Sequence, residues 1–442
     1  MKQRKRNLRA GGARRDITPP PGTPLTGFIA RLQSSSGVAD RIHTRAVTVR
    51  HGKSAIVIIQ LDLIGLAFWQ VAEIRRGCQS LLGIPPEHVL ISCTHTHSGP
   101  GVVPIRGCEM ASLEYQWSVI HETLQAVRTA HDRESGATIR IAAIPYRLGI
   151  NRRQPTPDGT VILGVAPDRP APKKLDVAVI RNDGGQTLYL FSHAAHPYVL
   201  GAESAQISGD FPSFACNELE SNSSCAVALF INGCAGNIAP VSAFQGIERA
   251  REEGFRLAVA VRKAAGVAKL IRCLPIGGSS EYVHLEYQPL PTEREFRALL
   301  GKRERTVRPD ERLNPSVGEK IRRAYSDWAN ALQEVRAGKS ALVPVFAEIQ
   351  LLRIGDLALI GISGEPFFEI GEHIRRASRF RHTWPAGYCN AFTGYLPTAR
   401  AFREGGYEVN DAYRYLGTWQ IEPSAEHKVV AAAKKLFAYG CP

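Results

Sequence analysis

One unit recurs along this chain and limits what it can fold into. It is an apolar run of strand length, then a glycine- or proline-rich loop carrying polar side chains, then a segment of helical spacing. The clearest copy begins at Val89-Leu90-Ile91 and runs through Ser92-Cys93-Thr94-His95-Thr96-His97 into Ser98-Gly99-Pro100-Gly101. Proline cannot continue a ladder and glycine permits positive φ, so the chain must turn there. If the backbone stays extended from Thr94 to His97, residues two apart share a face. The His95 and His97 imidazoles then lie side by side at a strand end. Open α/β sheets place their chemistry at such ends, and neutral imidazole is the commonest metal ligand. Taken alone, the His-x-His pair fits a surface loop equally well.

The unit returns three times. A hairpin over 176–181 and 187–192, closed by Asn182-Asp183-Gly184-Gly185, runs into His193-Ala194-Ala195-His196-Pro197. After it come Ile207-Ser208-Gly209-Asp210 and a short helix from 211. An apolar strand over 226–231 ends at Asn232-Gly233-Cys234-Ala235-Gly236-Asn237. A hairpin over 346–353 and 357–362 exits through Ser363-Gly364-Glu365-Pro366 into a helix over 367–378. Elsewhere the spacing predicts a strand over 13–18, a hairpin over 46–49 and 55–61, and a helix over 68–82 stopped by Gly83. A helix over 112–132 places Leu113, Trp117, Ile120, Leu124 and Val127 on one face. A strand over 138–146 leads to a loop from Gly149, and helices cover 247–265 and 424–439. These units imply an α/β class of fold: layered mixed β-sheets covered by helices, with a site built from several strand ends. Residues 1–12 read as a disordered basic tail, and 13–442 as a single catalytic domain. Within it, the charged stretch 292–337, helical in pattern and broken at Pro309 and Pro315, reads as an inserted helical arm or lid.

Formal net charge is +14, but the cations are spread out. The denser stretches, 2–15 and 302–323, interleave no aromatics with arginine, so a solvated basic surface is expected and not a nucleic-acid site. Nine cysteines without C-x-x-C spacing read as reduced thiols of a cytoplasmic protein. The longest apolar stretch, 55–69, is interrupted by Gln60 and Asp62 and is too short to span a bilayer. No apolar segment follows the basic N-terminus, so neither an export signal nor stable membrane insertion is expected. The expected partner is a small-molecule amide or ester; self-association into a homo-oligomer is left open.

Set in order, several motifs together resemble the neutral (non-lysosomal) ceramidase family, in its N-terminal catalytic domain. They are Arg15-Asp16-Ile17-Thr18, the run 94–101, Ile150-Asn151-Arg152, His196 upstream of Ile207-Ser208-Gly209-Asp210, Gly364-Glu365, Gly394-Tyr395, and Gly406-Tyr407-Glu408. The resemblance covers residues 13–440 and implies that family's layered α/β fold, with amide hydrolysis at one Zn2+ per chain through a metal-activated water. Carried over residue by residue, it implies His95, His196, Glu365 and Tyr395 as zinc ligands. In the same register His97, Arg152 and Tyr407 line the reacting group, and Asp210 orients a ligand histidine. His97 is expected to move the proton, and Arg152 and Tyr407 to donate to the oxyanion. Two neighbours compete for these assignments: His193 with His196, and Arg153 with Arg152.

One segment departs from the family. Where the family has Gly-Asp-x-Ser-Pro, this chain reads Gly236-Asn237-Ile238-Ala239-Pro240. A serine nucleophile at that position is excluded, and attack by water is untouched. The family's C-terminal β-sandwich and export signal are also expected to be missing, which points to a soluble amide and not necessarily to ceramide. The expected activity is therefore zinc-dependent cleavage of a C–N bond in an N-acyl amide. The alternatives are a zinc esterase on the same scaffold and a non-catalytic binding protein that kept the fold.

Overall fold

The strand Ser54–Leu61 shows why the chain must form layers. Its side chains alternate between two apolar clusters: Ile56 and Ile58 enter one, and Val57, Ile59 and Leu61 the other. A strand that is apolar on both faces has to be covered on both. In the computed structural model, which describes residues 8–221, 225–301 and 314–440, that covering comes from a second sheet and from helices.

The larger sheet has nine strands. In spatial order eight of them are Ala226–Asn232, Thr187–His193, Lys174–Asn182, Ser135–Pro145, Leu8–Asp16, His43–His51, Ser54–Leu61 and Val89–Cys93; Lys269–Leu270 pairs beside Ser135–Pro145. The smaller sheet runs Ile276–Leu285, Val345–Ile354, Leu357–Ile362, His382–Ala386. Val47, Val49, Ile56, Ile58, Ala178 and Ile180 of the first meet Leu352, Ile354, Leu359 and Trp384 of the second in one buried cluster. Helices Phe68–Leu82 and Leu113–Asp132 cover part of the large sheet's other face, and Asp210–Ser221 with Ile247–Val267 cover the rest. Helices Phe368–Ala377 and Ala425–Tyr439 cover the outer face of the small sheet. The arrangement is the layered, mixed α/β fold that the sequence pattern implied.

Each sheet is mixed, and its parallel pairs position the site. Ser54–Leu61 runs parallel to Val89–Cys93, Thr187–His193 to Ala226–Asn232, and Leu357–Ile362 to His382–Ala386. The two edges of the large sheet are tied at their carboxyl ends by Asn232, whose Nδ2 donates to the Thr94 and Ala195 carbonyls, 3.1 Å each. Single bridges from Ser92 to Cys389 and from Gly233 to Ala386 bring in the small sheet.

Four expectations change. The first strand starts at Leu8, so the boundary expected after residue 12 falls inside a strand, and residues 1–7 lie outside the described residues. Helix Leu113–Asp132 is rotated: Gln116, Val119, Ile120, Thr123, Ala126, Val127 and Ala130 face inward, while Leu113 and Trp117 are 67% and 50% exposed. Polar partners set that rotation, since Thr123 Oγ1 donates to Thr44 and Gln70 Nε2 to Gln116. The stretch from Gly149 is not a loop but two short strands, Gly149–Asn151 and Arg153–Pro155. Pro315 does not break a helix; it opens Pro315–Arg336, with Asn314 Oδ1 accepting from the Ser316 N–H. The other half of that arm is helix Glu293–Gly301, and the break expected at Pro309 lies outside the described residues. Among the described residues no helix is long and apolar enough to cross a membrane.

A buried ion pair joins the layers. Arg75 reaches from helix Phe68–Leu82 to both carboxylate oxygens of Glu348, 2.9 Å each, and to the Val89 carbonyl at 3.1 Å. Replacing Arg75 by alanine would leave Glu348 buried without its counter-charge, and is expected to cost about 3–5 kcal/mol in denaturant titration. The double variant Arg75→Met/Glu348→Leu should recover most of that loss; a single variant as stable as wild type would show that the pair carries nothing.

Candidate functional site

The strand Val89–Cys93 ends before the histidines, and the chain there departs from the extended path expected for it. His95 sits at φ 70°, in the left-handed region. Such a conformation is costly for a side-chain-bearing residue and is kept only where its surroundings over-determine it. Here they do: Thr94 N–H donates to Leu61 O and His95 N–H to Leu63 O, 2.9 Å each, and His97 N–H to Pro197 O at 3.2 Å. The two imidazoles still meet, edge to face at 5.0 Å between centroids, but by a tight turn and not by strand alternation.

Backbone carbonyls fix the tautomers of two histidines. His95 Nδ1 lies 2.7 Å from Ile64 O, and His196 Nδ1 lies 2.7 Å from Ala235 O. A carbonyl only accepts, so each Nδ1 carries the proton and each Nε2 presents a lone pair. Both Nε2 atoms face Glu365 Oε2, His95 at 3.3 Å and His196 at 3.2 Å. Burial lowers the His196 pKa to about 3, so its ring is neutral at ordinary pH. Two imidazole nitrogens and a carboxylate oxygen therefore converge on one buried point, a set of atoms that a cation can take as ligands. His95, His97 and His196 can also each offer one nitrogen, all within 4.8 Å of one another. Nitrogen and carboxylate oxygen in this arrangement suit zinc.

Glu365 and Tyr395 are brought together by a short parallel ladder in which they are direct partners. Gly364 allows the approach: at φ 81°, a Cβ there would lie 2.4 Å from Gly394 O. Gly236 is crowded from the other side, where a Cβ would meet Glu365 O at 2.4 Å. Burial pushes the Tyr395 hydroxyl well up and the Arg152 guanidinium opposes it; a nearby dication would add to the opposing side.

Arg152 separates cleanly from Arg153. Arg152 Nη2 donates to Tyr395 Oη at 2.9 Å and to Gly236 O at 2.7 Å, and its Nε to Glu408 at 2.9 Å. Arg153 turns away to Glu408, Glu404 and Gly405 O. His193 also turns away, its Nδ1 on Lys174 O and its Nε2 accepting from Leu148 N–H. Tyr407 follows Gly405 and Gly406, at φ 69° and 94°, and its ring lies 6.1 Å from that of Tyr395. His95, His97, Glu365, Tyr395 and Tyr407 line one cavity. Both ring nitrogens of His97 are buried without a hydrogen-bond partner, although the ring is boxed by Phe28 at 5.0 Å and Tyr198 at 5.4 Å. Gly27 makes room for it, since a Cβ there would lie 2.7 Å from the imidazole.

Sequence reasoning missed several of these supports. Tyr388, at φ 56°, stacks on His95 at 4.1 Å. Arg31, buried, donates to the carbonyls of His97, Thr26 and Ser204 and so ties three loops together. Glu408, which holds Arg152, was the one with a signal: it directly follows Tyr407 in the motif already singled out, and a buried arginine requires an acceptor.

The comparisons with known proteins agree with one another. The chain is 23% identical to a neutral ceramidase of Mycobacterium tuberculosis, over 90% of this chain and 72% of that protein. The crystal structure of neutral ceramidase from Pseudomonas aeruginosa superposes with a TM-score of 0.71 at 20% identity, covering 98% of this chain and 75% of that one. A ceramidase complexed with C2 superposes at 0.70 and 19%, covering 98% and 74%. The chain has the fold of the neutral ceramidases and is similar to them in sequence. No family model matches it.

Against that ceramidase-like background, the departing segment has a structural job. Asn237 Oδ1 accepts from the Phe368 N–H and its Nδ2 donates to Glu369, 2.8 Å each, so it caps helix Phe368–Ala377 from outside. Ala239 is buried in the strand Ile238–Pro240, paired with Ile150. Asp210 does not orient a histidine, as the resemblance implied. Its carboxylate accepts from the N–H groups of Leu200 at 3.0 Å and Phe211 at 2.7 Å, and backbone carbonyls take the orienting role instead.

Burial raises the Asp210 pKa to about 7, against those two donors, from about 3.9 in an unfolded chain. Between about pH 4 and 7 the folded protein holds a proton that the unfolded chain has lost, so this group's contribution to stability falls as pH rises through that window. Asp210→Asn, tolerated at φ 58°, removes the titration. Relative to wild type it should gain about 1–3 kcal/mol between pH 4.5 and 8 in thermal melts; parallel profiles would contradict the raised value.

Proposed function

We propose that the protein is a zinc-dependent hydrolase that cleaves the C–N bond of a soluble N-acyl amide, with one Zn2+ per chain. The convergence of His95 Nε2, His196 Nε2 and Glu365 Oε2 carries this reading. With Tyr395 they would hold the ion through nitrogen and oxygen donors, the ligand types that zinc takes. When bound, zinc supplies Lewis acidity, which acidifies water and polarises a carbonyl.

The chain's own groups supply the rest. Burial holds the His97 imidazole well below its ordinary pKa, so it is neutral and able to take a proton. It accepts one from the attacking water and returns it to the departing nitrogen, giving a carboxylic acid and an amine. Arg152, fixed by Glu408, and Tyr407, kept protonated by burial, would donate to the carbonyl oxygen as it gains charge. Preorganised donors of this kind are worth about 2.7–4 kcal/mol each. The likeness to neutral ceramidases supports an amide over other substrates. Among the described residues Cys78, Cys93, Cys216, Cys234 and Cys389 are buried outside any disulfide, which supports a reducing compartment such as the cytoplasm.

Matched N-acyl and O-acyl substrates offered to the zinc-loaded protein test the reading. Amide turnover lost in Glu365→Ala is expected. Turnover of esters alone would assign an esterase, and none of either kind would favour a binding protein that kept the fold. His97→Ala separates base from ligand: it should keep its zinc while kcat falls by about 10²–10⁴. Loss of zinc in that variant would move His97 into the ligand set.

A further inference from the structure

The cavity that opens onto His95, His97, Glu365, Tyr395 and Tyr407 is small, about 80 Å³. Pockets for drug-sized ligands run to about 300–1,000 Å³. Its other walls are mostly apolar: Ile29, Ile64, Ile105, Phe392, Tyr415 and Leu416. An apolar wall beside the reacting groups suits the hydrocarbon part of an acyl group.

This wall is braced from outside. Ile29 and Tyr415 pack against Val317, Ile321 and Tyr325 of helix Pro315–Arg336. The Tyr325 and Tyr415 rings meet edge to face at 5.7 Å, and Lys320 Nζ donates to Arg31 O at 2.6 Å. Ile29 rests directly on Gly107 and Leu416 on Gly394; a Cβ at either glycine would lie 2.5 Å from the side chain. The Arg106 N–H donates to Tyr415 O at 2.8 Å. Packed walls deform little, so the space cannot readily lengthen.

We propose that the acyl half of the substrate is short, nearer butanoyl than octanoyl in length. Tyr415 and Leu416 set the limit, and helix Pro315–Arg336 holds them in place as a brace. This rests on the amide-hydrolase reading above. The test offers the zinc-loaded enzyme anilides of acetic, butanoic, octanoic and palmitic acids, and measures binding of acetate, butanoate and octanoate by calorimetry. From butanoyl to octanoyl, kcat/KM is expected to fall by about tenfold or more. Leu416→Ala should raise the ratio of octanoyl to acetyl kcat/KM by about tenfold. Octanoate binding should follow. Tyr415→Ala is a second variant with the same expected direction, its folding checked by thermal melt. Wild-type turnover of octanoyl or palmitoyl anilide equal to acetyl, or octanoate bound as tightly as acetate, overturns the proposal. Acetate binding without octanoate binding, in an enzyme that cleaves no anilide, upholds the size limit and sinks the hydrolase reading.

Discussion

The structure depends on a buried convergence of two histidines and a carboxylate. Two imidazole Nε2 atoms each approach one carboxylate oxygen, at 3.3 and 3.2 Å, among buried residues. The Nδ1 atoms of His95 and His196 are committed to Ile64 O and Ala235 O, which turns both Nε2 atoms toward the carboxylate. Those carbonyls belong to loops that leave different strands, so the tautomers are set by the fold and not by the site. A cation can take all three atoms as ligands, and its binding energy would offset the desolvation of all three groups.

The rest of the molecule reads as the means of holding that convergence. Parallel strand pairs in both sheets deliver their carboxyl ends to one region, and Asn232 ties two of those ends across the seam. Local strain is concentrated here too. His95 and Tyr388 both adopt positive φ without being glycine, and their rings stack on each other at the site. Gly236 and Gly364 admit backbone at distances that a side chain would forbid. The layers outside, joined by pairs such as Arg75 with Glu348, supply the stability that offsets these costs.

The strand–loop–helix pattern was legible because its signals are local. Gly83 stops the helix Phe68–Leu82 at φ 65°, as a left-handed C-cap should, and the hairpins at 51–54 and 182–187 close where their turn residues lie. What stayed hidden depends on partners remote in sequence. Periodicity put Trp117 in the core, but the helix turns so that Thr123 and Gln116 reach polar partners, and Trp117 pairs instead with Trp69 at the surface, 5.3 Å apart. The candidate site residues came from a resemblance, not from spacing. Even so, the assumed route to them was wrong: strand alternation gave His95 and His97 a common face, whereas a left-handed turn does so here. No sequence signal announces that Gly27 leaves room for His97, or that carbonyls and not Asp210 orient the histidines.

The most direct measurement is X-ray absorption at the zinc edge of the metal-loaded protein. The account predicts a single site of nitrogen and oxygen donors at about 2.0–2.2 Å, with the outer-shell scattering of histidine imidazoles and with the signal lost in Glu365→Ala. A first shell containing sulfur at about 2.3 Å, or a spectrum without histidine scattering, would contradict it.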